Sequence, residues 1–404
     1  MIKHIEGGVC AANGFTANGV HCGIRKNRTK PDLALIMSEV KAAAAAVYTT
    51  NLVKGAPIAV TKANIADGYA QAVICNSGNA NTCNANGIEI AEGMCALVEK
   101  HTGIPAGDVV VASTGVIGQK MDLAPIAGGM EPLVAGLGKK SAAAANAIMT
   151  TDVALKEVAV EFEIGGKVCK MGAIAKGSGM IHPNLATMLV FVTTDCAVAP
   201  AMLKAALSAD VVDSFNMVSI DGDTSTNDMV TVLANGMAGN AVIDCEGADF
   251  DEFKTALHEV TSSICKMIAA DGEGATKMLE CALVGAPDKE TARTVAKSVV
   301  CSSLLKAAMF GADANWGRVL CAIGYSGAWV EVDRIDVAFA SAAGEIKVCE
   351  NGAGVDFSED EAKKILSEDK ITIKVDLKMG DVSTAAWGCD LTYDYVKING
   401  DYRT

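Results

Sequence analysis

A threonine that directly follows a small residue can cut the chain in front of itself. Thr187, preceded by Ala186 in the run KGSGMIHPNLATMLVFVTTD, is placed to do so. Its hydroxyl would attack the Ala186 carbonyl, the peptide would rearrange to an ester, and water would release a new N-terminus. Gly177, Ser178 and Gly179 let the upstream backbone bend, and Pro183 fixes one φ shortly before the bond. The freed α-amine, with an ordinary pKa of roughly 7.7 to 8, can then take the proton of its own hydroxyl, so that nucleophile and base share one residue. As local sequence alone, Thr187 reads rather as a β-branched strand residue and HPN as a turn.

An acyl-transferring threonine needs donors for the oxyanion of its tetrahedral intermediate. STGVIG offers Thr114 and Gly115, a hydroxyl beside a backbone N–H that no side chain obstructs, although Ser-Thr-Gly is also ordinary turn composition. Metal chemistry is not expected. His21 adjoins Cys22 without a second ligand pair. DGDTSTND imitates the start of a calcium loop at Asp221, Asp223 and Ser225, but has Thr226 where that loop needs glycine and Val232 where it needs glutamate.

The elements that must position these residues alternate between helical and extended patterns. MLVFV (188–192) is continuously apolar and reads as a strand buried on both faces. Asp249 and Glu252 form a capping-box signature ahead of Phe253, Leu257, Val260, Ile264 and Met267 at helical spacing. Asp288 is placed to cap a helix carrying Ala292, Val295, Ala296 and Val299 on one face. Val330 to Phe339 and Ile371 to Leu377 alternate as strands with one wet face. Ile88 to His101 and Asp122 to Leu137 read as helices, the second weakened by Pro125, Gly128 and Gly129. These patterns predict an α+β fold with helix-covered sheets.

Half of the 404 residues are hydrophobic, enough for a large core or two lobes; aromatics are only 4%, so small aliphatics must fill it. A net charge of −14 without a basic stripe argues against nucleic acid and anionic lipid and for small-molecule chemistry. No apolar run approaches the roughly 18–20 residues of a membrane span, and MIKHIEGGVCAANGF lacks a signal-peptide core. The 14 cysteines show no CxxC pair; those in apolar runs, Cys75 and Cys321 among them, read as small buried hydrophobes in a reducing, cytoplasmic setting.

VYTTNLVKGAP (47–57), NSGNAN (76–81), STGVIGQ (113–119), the run 176–195, DGDTSTND (221–228), DGEGATK (271–277), ANWGRVL (314–320) and WGCDLTYDYVKINGDYRT (387–404) resemble, in order and spacing, the ornithine acetyltransferases. These are the bifunctional glutamate N-acetyltransferases of arginine biosynthesis. The resemblance implies a helix-layered double-sheet core of the N-terminal-nucleophile type with a smaller second lobe. It also implies self-cleavage between Ala186 and Thr187. The resulting α segment (1–186) and β segment (187–404) would form one intertwined fold, with two of each in the assembly. Thr187 would carry the acetyl group from N-acetylornithine to glutamate in a ping-pong sequence, with Thr114 and Gly115 as the oxyanion hole. Thr150, Lys176, Thr187, Glu273, Asn399 and Thr404 match substrate-binding positions, Lys176 as the point charge for a shared α-carboxylate. No cofactor is implied; acetyl-CoA as a second acetyl donor stays open. The alternative is an N-terminal-nucleophile amidohydrolase or aminopeptidase, in which water resolves the acyl-enzyme.

Overall fold

The computed structural model describes residues 2–26, 29–182 and 188–400, so that Ala186, Thr187 and Thr404 lie outside the described residues. Among the described residues the strands form two sheets. The first contains β1 (Lys3–Ile5), β2 (Phe15–Val20), β3 (Leu33–Tyr48), β4 (Tyr69–Asn76), β5 (Val109–Ser113), β6 (Lys156–Ile164), β7 (Lys167–Lys176) and β8 (Leu189–Thr194). After β9 (Val218–Ser219), which belongs to the second sheet, β10 (Met229–Ala234) returns to the first. The order is β1-β6-β7-β8-β10-β3-β4-β5, with β2 paired to β3. The register of β3 against β4 slips between Met37 and Ala42. The first part of β3 therefore pairs with β2 and β4, and its last six residues pair with β10.

β8 explains why its sequence is continuously apolar. It lies between β7, antiparallel, and β10, parallel, and all six residues are buried. Val190 and Val192 join one core while Leu189 and Phe191 join the core on the opposite face. Helix Ser141–Ile148 covers the latter face; the long helix Ala248–Ala270 packs on β6 and β7 from the other side.

The second, smaller sheet comprises β9, β11 (Met278–Ala286), β12 (Asp336–Ser341), β13 (Gly344–Glu350), β14 (Ala353–Gly354), β15 (Lys370–Asp376) and β16 (Val382–Cys389), in the order β14-β13-β12-β15-β11-β16-β9. Helix Ala248–Ala270 also touches β11 and β16, so one helix seats both sheets on a shared core. In β15 the predicted alternation holds: Ile371, Ile373 and Val375 are buried while Lys370 and Lys374 are exposed. Asp288 caps helix Lys289–Cys301 by accepting the Thr291 N–H at 2.8 Å. The result is an α+β fold with two helix-layered sheets.

Four local expectations are corrected. Asp249 and Glu252 do not cap: the helix starts at Ala248 after Gly247 with no side-chain cap, which leaves Asp249 inside the first turn, where its charge suits the helix dipole. Val330 to Phe339 is not one strand, because Val332–Arg334 coils into a 3₁₀ turn before β12 begins at Asp336. Pro125 does not weaken its helix, since it sits in the first turn of Ala124–Ala135, where a missing N–H costs nothing; the interior proline is Pro132. Cys75 is buried, but Cys321 is exposed, because the apolar run around it winds round helix Trp316–Gly324, which buries Val319, Ala322 and Ile323 and leaves Cys321 on the outer side.

Candidate active site

Seven segments, among them the loop after β4 with Ala80, meet in a cleft of about 220 Å³. The loop after β5 brings Thr114 and Gly115, the loop before β6 brings Thr150 and Thr151, and β7 ends in Lys176. The loop before β10 supplies Ser225 to Asn227, the turn after helix Ala248–Ala270 supplies Glu273, and helix Tyr393–Gly400 supplies Asn399. Six of the site residues read from the sequence, Thr114, Gly115, Thr150, Lys176, Glu273 and Asn399, thus line one cavity although they span most of the chain.

The wall with the oxyanion candidates is fixed by backbone pairing. The Thr114 N–H donates to the Asn76 carbonyl at 3.0 Å and the Ala80 N–H to the Val116 carbonyl at 3.0 Å, which zips STGV onto the NSGNAN loop. Gly115 has φ +129°, and a Cβ there would collide with the backbone of Gly78 and Asn79, so only glycine fits. Asn227 braces this wall from the other part of the chain. Its Nδ2 donates to the carbonyls of Ala80 (2.5 Å) and Ser113 (3.0 Å), and its Oδ1 accepts from the hydroxyls of Thr82 (2.5 Å) and Thr226 (2.6 Å).

The opposite wall carries charge. Lys176, the last residue of β7, pairs in register with Leu189, the first of β8. Asp152 lies behind it, with 1% of its surface exposed. Burial alone would raise the Asp152 carboxyl, but the ammoniums of Lys176 and Lys156 and the Gly177 N–H outweigh it and hold the group well below the usual carboxylate range. Glu273 accepts from Thr151 Oγ1 at 2.6 Å and from Asn399 Nδ2 at 2.7 Å, and a Cβ at Gly179 would strike its carboxylate. Two of the roughly four acceptor positions of this carboxylate are used, which leaves it able to take a ligand ammonium. The helix that delivers Asn399 has no buried residue and is tied down by polar contacts: Thr392 Oγ1 to the Gly274 carbonyl at 2.7 Å and Tyr395 OH to Asp221 Oδ2 at 3.3 Å.

DGDTSTND has a structural use that its calcium-like spacing hides. Asp221 accepts the N–H groups of Met180 (2.6 Å) and Ile181 (2.9 Å), and Thr224 Oγ1 donates to the His182 carbonyl (2.8 Å). The chain is therefore anchored immediately before residues 183–187. It is anchored again after them, where the Met229 N–H donates to the Met188 carbonyl at 2.8 Å.

Thr151, Asp152 and Asn227 escaped the sequence reading. The MTTD run gave no signal for the first two: the Thr150 N–H donates to Asp152 Oδ2 at 2.9 Å, backward along the chain, whereas an Asx turn runs forward, and Thr151 meets Glu273 122 positions away. Asn227 gave no sign either, because three of its four side-chain partners, Thr82, Ala80 and Ser113, lie more than 100 positions away in sequence.

The sequence profile of the ArgJ family matches residues 16–404. The chain belongs to the ArgJ family. This bears out the motif resemblance to ornithine acetyltransferases, and the match covers every segment of the cleft. Among ArgJ relatives, the arginine biosynthesis bifunctional protein ArgJ of Caldanaerobacter subterraneus subsp. tengcongensis is 49% identical over 402 residues, 99% of either chain. That of Thermotoga neapolitana is 50% identical over 394 residues, 97% of this chain and 99% of its own. The crystal structure of the arginine biosynthesis bifunctional protein ArgJ from Bacillus halodurans is 47% identical and superposes with a TM-score of 0.50, covering 52% of this chain and 98% of its own.

An acid-binding role for the charged wall has a direct test. Lys176→Ala removes the ammonium of that wall, and a charge-assisted contact to a substrate carboxylate exists in the ground state as well as in the transition state. The expected result is a KM raised about 10- to 100-fold with kcat changed far less; initial-rate measurements check it.

Proposed function

We propose that this protein moves an acetyl group from N-acetylornithine to glutamate, producing ornithine and N-acetylglutamate, through an acetyl ester on Thr187. The observation that carries the reading is the convergence of Thr114, Gly115, Thr150, Lys176, Glu273 and Asn399 in one cleft. Oxyanion donors line one wall; an ammonium and a carboxylate line the other. Such a pair suits a zwitterionic amino acid, Lys176 with the α-carboxylate and Glu273 with the ammonium of ornithine. Thr404, which matches a substrate-binding position of the resembled family, would complete the substrate set.

In the first half-reaction Thr187 Oγ attacks the acetyl carbonyl while the α-amine of Thr187 takes the hydroxyl proton. The C–N bond to ornithine then breaks, and the proton passes to the leaving amine. In the second, the glutamate amine attacks the ester and the proton returns to Oγ. Thr187 must be N-terminal for this, so self-cleavage after Ala186 precedes turnover. The Bacillus halodurans chain supports the cut: nearly all of it aligns, yet it spans only about half of this chain, close to the share that residues 187–404 occupy. Residues 1–186 and 187–404 then act as the α and β segments of one fold, assembled two and two, in the cytoplasm. The bifunctional description of the relatives supports acetyl-CoA as a second donor to the same threonine.

Incubation with N-acetylornithine, with and without glutamate, tests the reading by mass spectrometry. With donor alone, the fragment beginning at Thr187 gains one acetyl mass; with glutamate, ornithine and N-acetylglutamate appear in equal amounts. Acetate released without glutamate at the same rate would make the protein a hydrolase instead.

A further inference from the structure

Lys156 is a lysine with 1% of its surface exposed, an expensive place for an ammonium unless it is fully paired. Its Nζ donates to Asp152 Oδ1 at 2.7 Å, to the Ala154 carbonyl at 3.4 Å and to Asp271 Oδ2. Both carboxylates are buried as well, Asp152 at 1% and Asp271 at 6% exposure. Each also holds backbone of a different part of the cleft. Asp152 accepts the N–H of Thr150 at 2.9 Å and of Gly177, the residue after Lys176, at 2.7 Å. Asp271 accepts the N–H groups of Val153 and Ala154 at 3.2 Å and stands two residues before Glu273. The two sides are further stitched by the Glu273 N–H donating to the Ser178 carbonyl at 2.8 Å, and by Thr151 Oγ1, which shares a 2.7 Å hydrogen bond with Ser178 Oγ.

We propose that the Asp152–Lys156–Asp271 triad is a positioning device that sets the spacing, within the charged wall, between its substrate-carboxylate side (Thr150, Lys176) and its substrate-ammonium side (Glu273). The proposal rests on the acetyl-transfer reading. None of the three lines the cleft, so they act through Thr150, Lys176 and Glu273 rather than on the substrate. Lys156 is the only group in the triad that attracts both carboxylates. Without it they repel each other or share a proton, and either outcome disturbs the N–H groups they hold. Because donor and acceptor amino acids use the same cleft in turn, both should suffer alike, whereas Thr114 and Gly115, fixed by Asn76, Gly78 and Asn227, should not move. Two of the triad residues lie before position 187 and one after it, so the triad also clamps the two segments together at the site.

The test is a rescue. Lys156→Met keeps length and apolar bulk but removes the ammonium. It should raise KM for N-acetylornithine and for glutamate about 10- to 100-fold, as expected for ångström-scale misplacement of binding groups, with a much smaller change in kcat and with cleavage before Thr187 complete. Adding Asp271→Asn removes the second carboxylate and with it the repulsion, while the remaining amide oxygen can still accept the N–H groups of Val153 and Ala154, so Lys156→Met/Asp271→Asn should recover most of the lost affinity. A residue that only filled space would not be rescued by a second substitution at its partner. The proposal is overturned if the double variant is as impaired as the single one or fails to fold, or if the single variant loses kcat while KM stays put. If the wild-type protein transfers no acetyl group at all, the functional reading falls first. If the wild type transfers normally and Lys156→Met has unchanged KM values, only the positioning role falls.

Discussion

Replacing Thr187 by alanine is expected to leave a single uncut polypeptide with no measurable acetyl transfer. On the proposed mechanism the two losses share one cause: the hydroxyl that would attack the Ala186 carbonyl is the one that would later accept the acetyl group, and the α-amine that would serve as its base would not exist until the first attack had succeeded. The loss should therefore exceed that of any other single substitution in the site, falling to the uncatalysed background. Thr187→Ser separates the two events, since serine keeps the hydroxyl and lacks only the methyl group; it should cut, at a reduced rate, and then transfer. Denaturing electrophoresis and intact mass give the cut, and ornithine release gives the transfer. An alanine variant that is still cleaved at this bond would assign the cut to another protease, and one that is uncleaved but active would remove the N-terminal amine from the mechanism.

How far the sequence discloses this site depends on the reach of its interactions. β8 was legible because burial on both faces leaves an uninterrupted apolar run, and β15 because one wet face imposes alternation. Gly115 was legible as a glycine beside a threonine, but the reason for it, contact with Gly78 and Asn79, is a tertiary fact. The triad shows the limit most clearly. Asp152 and Lys156 are close in sequence and read as an ordinary charged loop, whereas Asp271, which gives the pair its place in the cleft, lies 115 positions from Lys156. The period-2 pattern of β6 puts Lys156 on the buried face of Val158, Val160, Phe162 and Ile164, but the charge of a lysine argues against reading that position as interior, and its second partner is out of local reach. Misread boundaries have the same origin. Asp249 and Glu252 have the spacing of a capping box, but the N-cap is Gly247, with φ +156°, two residues ahead of that frame.

Thr114→Ala is the second large loss, and its kinetic form differs from that of Lys176→Ala. Thr114 lines the cleft on a wall held by many contacts: its own N–H is committed to Asn76, the preceding Ser113 carbonyl is held by Asn227, and the Gly115 backbone is packed against Gly78. A donor held so firmly needs no rearrangement when negative charge develops on the acetyl oxygen, and stabilises the tetrahedral intermediate more than the flat ground-state carbonyl. Removing it should lower kcat by about 10²–10³-fold while KM stays within a few-fold. Both half-reactions pass through the same oxyanion, so acetylation of Thr187 by N-acetylornithine and deacetylation by glutamate should slow together, which rapid-quench mass spectrometry can follow separately. Self-cleavage is the discriminating control, because that reaction also forms a tetrahedral oxyanion, but at the Ala186 carbonyl. If Thr114→Ala slows both transfers and leaves cleavage intact, the hole serves the substrate alone. If the transfers proceed at the wild-type rate, the oxyanion is stabilised by another part of the cleft, and the roles given to this wall are wrong.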